Sequence, residues 1–297
     1  MLLDGFLGVN KPPGCTSHDV VSRVRHLFKT KKVGHTGTLD PLATGVLVLC
    51  LGRFTRLSQF VTASDKKYRG AITLGVETDT LDSEGQIVSQ SDQVPKTQAG
   101  FVDVLQPFLG KTEQIPPMYS AVRVAGKRLY ELARKGQEVD RPVREIEIFG
   151  LDIVDYQNPI LTLDVWCSKG TYIRTLAADL GQRLGCGAHL SQLTRTAVGQ
   201  IGLSDCYTLE ELEGIAQRLD PVPFLGVKRV LDLPNISLSK QQVHAFVNGN
   251  PVEVTDVPMG DFEEPQCIFD SDDHLIGIGR WHPNGLRPVC VIAQRES

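Results

Sequence analysis

Gly34-His35-Thr36-Gly37-Thr38-Leu39-Asp40-Pro41-Leu42-Ala43-Thr44-Gly45 is a polar loop that runs straight into Val46-Leu47-Val48-Leu49-Cys50-Leu51. The second stretch is continuously apolar and bounded by Gly45 and Gly52, which predicts a buried strand. The loop's glycines let backbone approach a ligand closely, and Asp40 is its only acid. Pro41 keeps Asp40 in extended geometry. Read alone, an Asp-Pro in a loop is a turn. The reading therefore depends on what surrounds it.

Upstream, Thr16 or Ser17 caps a predicted helix whose apolar positions Val20, Val21, Val24, Leu27 and Phe28 form one stripe. Lys29, Lys31 and Lys32 follow its last turn, where cations complement the helix dipole or bind phosphate. Downstream, residues 67–91 read as strand, turn and strand: Tyr68 to Leu74, then Asp82-Ser83-Glu84-Gly85, then Gln86-Ile87-Val88. Helical spacing recurs at Phe101, Val102, Val104, Leu105 and Phe108, and again at Ile173, Leu176, Ala177, Leu180 and Leu184. Alternation at Leu161, Leu163, Val165 and Cys167 predicts a strand with one apolar face, and Thr208-Leu209-Glu210-Glu211 is a capping box. Past Pro221-Val222-Pro223 and Leu233-Pro234-Asn235 the pattern becomes short strand-like pieces: Cys267-Ile268-Phe269, Leu275-Ile276-Gly277-Ile278 and Val289-Cys290-Val291-Ile292. Turns such as Asn248-Gly249-Asn250 separate them. Strands and helices interspersed with hairpins predict a mixed, largely antiparallel sheet with helices packed on it.

At 297 residues and 41% hydrophobic, the chain can bury a sizeable core. The longest apolar run is too short to cross a bilayer, and Met1-Leu2-Leu3-Asp4 lacks the basic start of a signal peptide, so a cytoplasmic protein is expected. The 7 cysteines form no CxxC or CxH pair, which predicts neither zinc nor a disulfide framework. Glu77, Asp79, Asp82 and Glu84 lack calcium-loop spacing, and Asp-Ser-Glu-Gly is a hairpin-turn signal, so no metal site is expected there.

A net charge of −4 argues against a nucleic-acid partner until it is divided along the chain. Residues 1–70 hold 11 Lys+Arg against 4 Asp+Glu, and Arg23, Arg25, Lys29, Lys31, Lys32, Arg53, Arg56, Lys66, Lys67 and Arg69 flank the Asp40 loop in sequence. Local positive charge is what phosphate binding needs. From residue 230 on the balance is 4 against 10, so strong phosphate binding is not expected of the last module.

The loop and five other blocks, in order over about two thirds of the chain, carry a resemblance. They are Asn10-Lys11-Pro12-Pro13-Gly14-Cys15-Thr16-Ser17, Asp65-Lys66-Lys67-Tyr68-Arg69, and Gln114-Ile115-Pro116-Pro117-Met118-Tyr119-Ser120-Ala121. The last two are Cys167-Ser168-Lys169-Gly170-Thr171-Tyr172-Ile173-Arg174-Thr175-Leu176 and Gly187-Ala188-His189-Leu190-Ser191-Gln192-Leu193-Thr194-Arg195. The chain resembles the TruB family, the bacterial tRNA pseudouridine synthases that modify uridine-55 of the T-loop. The resemblance implies an α/β (α+β) pseudouridine synthase fold, with the active cleft across the middle of a mixed, mainly antiparallel sheet. It implies a catalytic domain over residues 1–232 and a small PUA-like β module over 233–297. Residues 111–145, with 8 Lys+Arg against 5 Asp+Glu and with Tyr119 and Tyr130 interleaved, correspond to an insertion that grips the T-loop.

The reaction so implied breaks the N1–C1′ bond of a uridine, turns the uracil and rejoins it through C5. It is a redox-neutral isomerisation that needs no cofactor or metal. Asp40 matches the family's catalytic aspartate; attack at C1′, attack at C6 and charge stabilisation before a glycal all stay open. Arg174 matches the cation that pairs with it, countering the rise in pKa that burial brings. Tyr68 corresponds to the tyrosine that stacks on the target uracil, an interaction worth about 1–3 kcal/mol. Tyr172 and Leu193 match residues lining the uracil slot. His35 matches a histidine that helps expel the base, against the rival readings of a general base or a structural histidine. Lys11 and Pro12 read as mainly structural, with occasional backbone or phosphate contact. The expected partner is the tRNA T-arm and the expected state a monomer. The alternatives are a tRNA-folding chaperone that kept the fold, a relative acting on another RNA, and a glycoside hydrolase using Asp40, which lacks an acid partner.

Overall fold

The computed structural model describes residues 3–120, 122–124, 126–133, 135–137, 139–253 and 264–293. Ala121 of the third block, Arg134 and Glu138 of the insertion, and part of the acidic C-terminal segment lie outside the described residues. In chain order the elements begin with β1 (Gly5–Lys11), α1 (Ser17–Leu27), β2 (Val33–His35), β3 (Thr44–Leu51), α2 (Ser58–Thr62), β4 (Lys66–Leu74), β5 (Val76–Thr78) and β6 (Ile87–Gln90). They continue with α3 (Phe101–Leu105), β7 (Gly110–Gln114), β8 (Arg123–Val124), β9 (Lys127–Arg128), α4 (Leu129–Ala133), β10 (Arg144–Gln157) and β11 (Ile160–Cys167). Next come α5 (Ile173–Arg183), β12 (Ala188–Val198), β13 (Ile201–Gly202), α6 (Leu209–Arg218) and α7 (Val227–Leu231). The chain ends in β14 (Asn235–Ser237), α8 (Lys240–Val247), β15 (Pro265–Phe269), β16 (Leu275–His282) and β17 (Gly285–Val291).

The central sheet runs β1-β3-β12-β4-β11-β10-β7, with β2 added to β3 and β13 to β12. Its pairings are antiparallel except the one between β3 and β12. That parallel contact is short, joining Thr44 to Thr194 and Gly45 to Arg195, while β2 takes Leu49 to Leu51. Between them the sheet opens, and the Thr36–Ala43 loop fills the opening.

Why β3 is apolar on both faces is now evident. Leu47, Leu49 and Leu51 pack with Val20, Val21 and Val24 of α1 and Leu176, Ala177 and Leu180 of α5. Val46, Val48 and Cys50 face the other way, onto Phe54, Leu57 and Val61 and onto Cys267, Phe269, Ile278 and Cys290 of the C-terminal sheet. Each such aliphatic, fully withdrawn from water, contributes about 1.5–3 kcal/mol. Thr16 settles the choice of cap: its side chain accepts from the Asp19 N–H and Asp19 reaches back, a complete capping box. Thr208 and Glu211 close another at α6.

Two expectations need correction. The strand ending at Leu74 does not pair with Ile87 and Val88, because Gly75, in the left-handed region at φ +83°, ends it. A new short strand, β5, takes β6 as its partner, so the Asp82 turn belongs to this outer hairpin. The C-terminal module (order β14-β15-β16-β17) contains a helix as well as strands. In it Ser239 caps α8 with Gln242, and Asn248-Gly249-Asn250 is that helix's end. The flanking cations also separate: Arg23 pairs with Glu213, Arg53 with Asp4 and Arg69 with Asp164, whereas Lys66 is buried. Lys29, Lys31 and Lys32 sit at the far end of α1, about 16 Å from its capped end for 11 residues.

Gly45 sits at φ +101°, and an added Cβ would lie 2.2 Å from the Arg195 carbonyl oxygen. Gly45→Ala is expected to cost at least about 2 kcal/mol in equilibrium urea unfolding, through backbone strain and separation of β3 from β12.

Candidate active site

The Asp40 loop is held almost residue by residue. Thr36 N–H donates to the Val48 carbonyl at 3.0 Å, and Thr62 Oγ1 donates to the Thr36 carbonyl at 2.7 Å. Arg195, 2% exposed, donates through Nη2 to Gly37, through Nη1 to Thr38 and through Nε to Val46. Ser17, at the start of α1, grips Leu39 twice: its Oγ accepts from the Leu39 N–H at 2.8 Å and donates to the Leu39 carbonyl at 3.1 Å. Lys11 Nζ donates to the carbonyls of Pro12, Cys15 and Pro41. Both neighbours of Asp40 are thus pinned. Backbone held this way keeps a carboxylate in one place without help from substrate.

Lys11 is fully buried, and its ammonium is spent on those carbonyls. A lysine so enclosed ties Pro12, Cys15 and Pro41 together through their carbonyls and is withdrawn from phosphate contact.

Arg174, on the first turn of α5 and 4% exposed, is the hub. Its Nε lies 3.1 Å from Asp40 Oδ2, its Nη1 3.1 Å from Asp82 Oδ2, and its Nη2 donates to the Tyr119 carbonyl at 2.7 Å. Asp82 was read from sequence as a plain turn residue. It is 3% exposed, and its Oδ1 accepts from Thr80 Oγ1 and the Glu84 N–H. Two carboxylates on one guanidinium leave a net negative charge in a poorly hydrated place. Burial pushes the Asp40 carboxyl up, Arg174 opposes, Asp82 adds to the rise, and Lys11 and Arg195 pull it down; the result stays above the ordinary value. The side chain nevertheless keeps 35% exposure, because one face of it looks into the cleft.

That cleft is a slot of about 260 Å³ lined by Asp40, Tyr68, Tyr172, Arg174 and Leu193, together with Lys66, Lys169 and Arg195. The sequence-derived candidates Asp40, Tyr68, Tyr172, Arg174 and Leu193 therefore converge on one space. Tyr68 lies at mid-sheet, opposite Val165 on β11 and Arg195 on β12. Its hydroxyl is within hydrogen-bonding reach of Arg195, and burial pushes its pKa up, so it stays protonated at neutral pH. Tyr172 precedes α5, and Gln114 clamps its backbone, accepting from its N–H at 2.8 Å and donating to its carbonyl at 3.0 Å. Leu193 is 7% exposed. His35 is not in the slot. It lines a larger contiguous groove of about 770 Å³ with Asp40, Asp82, Tyr119, Tyr130 and Arg174. Burial, Arg195 and His18 lower the His35 pKa, so its ring is neutral at pH 7.

Asp82, Gln114, Lys66 and Arg195 were not singled out from sequence. Gln114 and Arg195 lie inside quoted blocks without a role, Lys66 was counted only among the flanking cations of a phosphate-binding surface, and Asp82 lies among four acids whose spacing does not distinguish the buried one.

Comparison with known proteins identifies the family. Residues 25–173 match the model described as TruB family pseudouridylate synthase (N terminal domain), and residues 174–222 match that of the tRNA pseudouridylate synthase B C-terminal domain. The chain belongs to the TruB family of pseudouridylate synthases. The second match covers α5, β12 and α6 of the central fold, so the sheet from Asn235 on lies outside both. Curated relatives named tRNA pseudouridine synthase B include one from Symbiobacterium thermophilum, 49% identical over 83% of this chain and 82% of its own length. Another, from Dechloromonas aromatica, is 44% identical over 96% of this chain and 93% of its own length. In fold, the chain is similar to one in a crystal structure of a Cbf5-Nop10-Gar1 complex, with TM-score 0.77 at 24% identity over 98% of this chain and 85% of that one. Among the described residues no helix is long and apolar enough to cross a membrane.

The raised Asp40 pKa has a thermodynamic sign. The folded state holds that proton more tightly than the unfolded one, so ionisation opposes folding. The opposition sets in as pH rises past the unfolded value of about 3.9 and is constant above the folded one. Asp40→Asn should therefore melt above wild type at pH 7 to 8, with the gap closing towards pH 4. The gap is small, because solvent still reaches the carboxylate. A variant that melts lower than wild type at pH 7 contradicts this.

Proposed function

We propose that this chain isomerises uridine-55 in the T-loop of tRNA to pseudouridine, with Asp40 as the reacting carboxylate. The observation that carries the reading is the Asp40–Arg174 pair at the mouth of a slot flanked by Tyr68, Tyr172 and Leu193, in a chain of this family. A uracil in that slot has an aromatic wall and an aliphatic wall, and its sugar lies towards Asp40. Arg174 keeps Asp40 ionised at working pH and fixes its direction; Asp82 holds Arg174 in turn. A protonated Tyr68 stacks on the ring and donates rather than accepts. His35, neutral and on the wall of the outer groove, fills the gap left by the extruded nucleotide.

The T-arm lies in the outer groove under the insertion 111–145, which is tied to the site through the Tyr119 carbonyl on Arg174. In this reading residues 1–232 form the catalytic domain and 233–297 a small accessory module whose acidic balance leaves phosphate binding to the rest. The enzyme acts as a cytoplasmic monomer. The isomerisation conserves composition and redox level, so the side chains suffice for it.

Tritium release from a tRNA transcript labelled at uridine C5 tests the proposal, because C5 loses its proton only when the new bond forms there. Wild type should release tritium, and a transcript with its T-loop uridine replaced should not. Asp40→Asn should fall by more than about a thousandfold with tRNA binding retained. The single-turnover rate should show an acid limb above the ordinary carboxylate value of about 3.9, in keeping with the direction of the Asp40 shift. Binding without release by wild type would remove the reading.

A further inference from the structure

Two cations beneath the slot remain without a task in that scheme. Lys66 and Arg195 are 7% and 2% exposed, and both line the slot. Among the described residues neither is ion-paired to a carboxylate, whereas Arg174 carries two. Lys66 Nζ donates to the Thr62 carbonyl at 2.7 Å and to the Ser64 carbonyl, which leaves one N–H. Arg195 spends Nη1 and Nη2 on the loop carbonyls of Thr38 and Gly37 and Nε on that of Val46 in β3. Carbonyls satisfy hydrogen bonds but do not cancel charge. A buried cation without a counter-ion is costly, and two side by side repel each other. Such a pair at the wall of an active site calls for an anion that is present only during the reaction.

The reaction supplies one. When the N1–C1′ bond breaks, its electron pair leaves with the ring, and the negative charge spreads over N1, O2 and O4. C1′ gains its new pair from the Asp40 carboxylate or from the C2′–H bond, whose proton passes to a base. The ring then turns and bonds through C5 as the Asp40 carboxylate leaves C1′, or as C2′ takes back its proton from the base; C5 loses its proton, N1 takes one up, and the slot is neutral again. We propose that Lys66, backed by Arg195, is the electrostatic partner of the detached uracil anion and holds it while it turns. The inference rests on the pseudouridine synthase reading. A compact ammonium on a flexible stem suits this task, since it attracts an anion in any orientation, whereas a planar guanidinium selects one.

The charged and titratable groups facing Lys66 are Arg195 on β12, Cys167 on β11, Asp65 beside it in the chain and Lys169 after β11. Burial, with Arg195 adding to it, pushes the amine down to about 8. The proton is therefore present at neutral pH and is lost just above it, so the rate of bond cleavage falls as pH rises past 8.

The test is single-turnover kinetics on a T-arm stem-loop, beginning with tritium release by wild type. No release defeats the isomerase reading itself, before any variant is made. Given release, Lys66→Met should slow the reaction at least tenfold with stem-loop affinity unchanged within twofold. Lys66→Arg should react at a rate between those of wild type and Lys66→Met and lose the alkaline limb near pH 8. With 5-fluorouridine at the target, whose ring is a more acidic leaving group, the Lys66→Met defect in nucleoside rearrangement should shrink. A folded Lys66→Met with a rate within twofold of wild type overturns the inference. So does a loss confined to affinity, or an equal loss on both substrates. If Lys66→Met does not fold, the pH profiles of wild type and Lys66→Arg decide: a limb that persists in Lys66→Arg, or is absent from wild type, overturns it.

Discussion

The rest of the site depends on one buried guanidinium. Arg174 meets the catalytic loop at Asp40, the β5–β6 hairpin at Asp82 and the insertion at Tyr119, three segments that are far apart in sequence. Removing the guanidinium would leave two carboxylates without their shared counter-charge, which is what makes the arrangement single-valued. The scaffold is built to bring the guanidinium there. Tyr172, one residue earlier, is fixed by Gln114, and α5 is fixed by Leu176, Ala177 and Leu180 in the main core.

Charge is divided across the slot. On the loop side Asp40 and Asp82 outnumber Arg174; on the sheet side Arg195 and Lys66 are ion-paired to no carboxylate among the described residues. Neither side is cheap to bury, and each cost is meaningful for a reaction that develops positive character at a sugar carbon and negative charge on a pyrimidine. The same Arg195 that leaves positive charge under the slot also ties Gly37, Thr38 and Val46 together. Structural and electrostatic roles are therefore joined in one residue, and a change there disturbs loop position along with charge.

Much of the fold was legible because its signals are local. The apolar run of β3, the alternation of β11, the stripe of α1 and the capping box at Thr208 need only a few neighbouring residues. The pairing of Asp40 with Arg174 was legible through family resemblance, which supplied a contact between residues that periodicity cannot connect. What stayed hidden was decided elsewhere in the chain. Gly75's left-handed turn moved β6 from β4 to β5, and the acid that became buried among Glu77, Asp79, Asp82 and Glu84 was chosen by an arginine 92 residues away. Ser239 and Gln242 did mark a helix start, but only Val243, Phe246 and Val247 follow as an apolar stripe, too short to stand out among strand-like pieces. Lys66 read as one more cation of a basic segment, since burial is not written in a charge count.

The central claim is that Asp40 is a carboxylate raised by burial and restrained by Arg174. It is tested most directly by ¹³C-detected NMR titration of the Asp40 carboxyl in wild type and in Arg174→Met, assigned by its loss in Asp40→Asn. The wild-type pKa should lie above the ordinary carboxylate value of about 3.9 and rise further in Arg174→Met. A wild-type value at or below the ordinary one, or a value indifferent to the loss of Arg174, would contradict it.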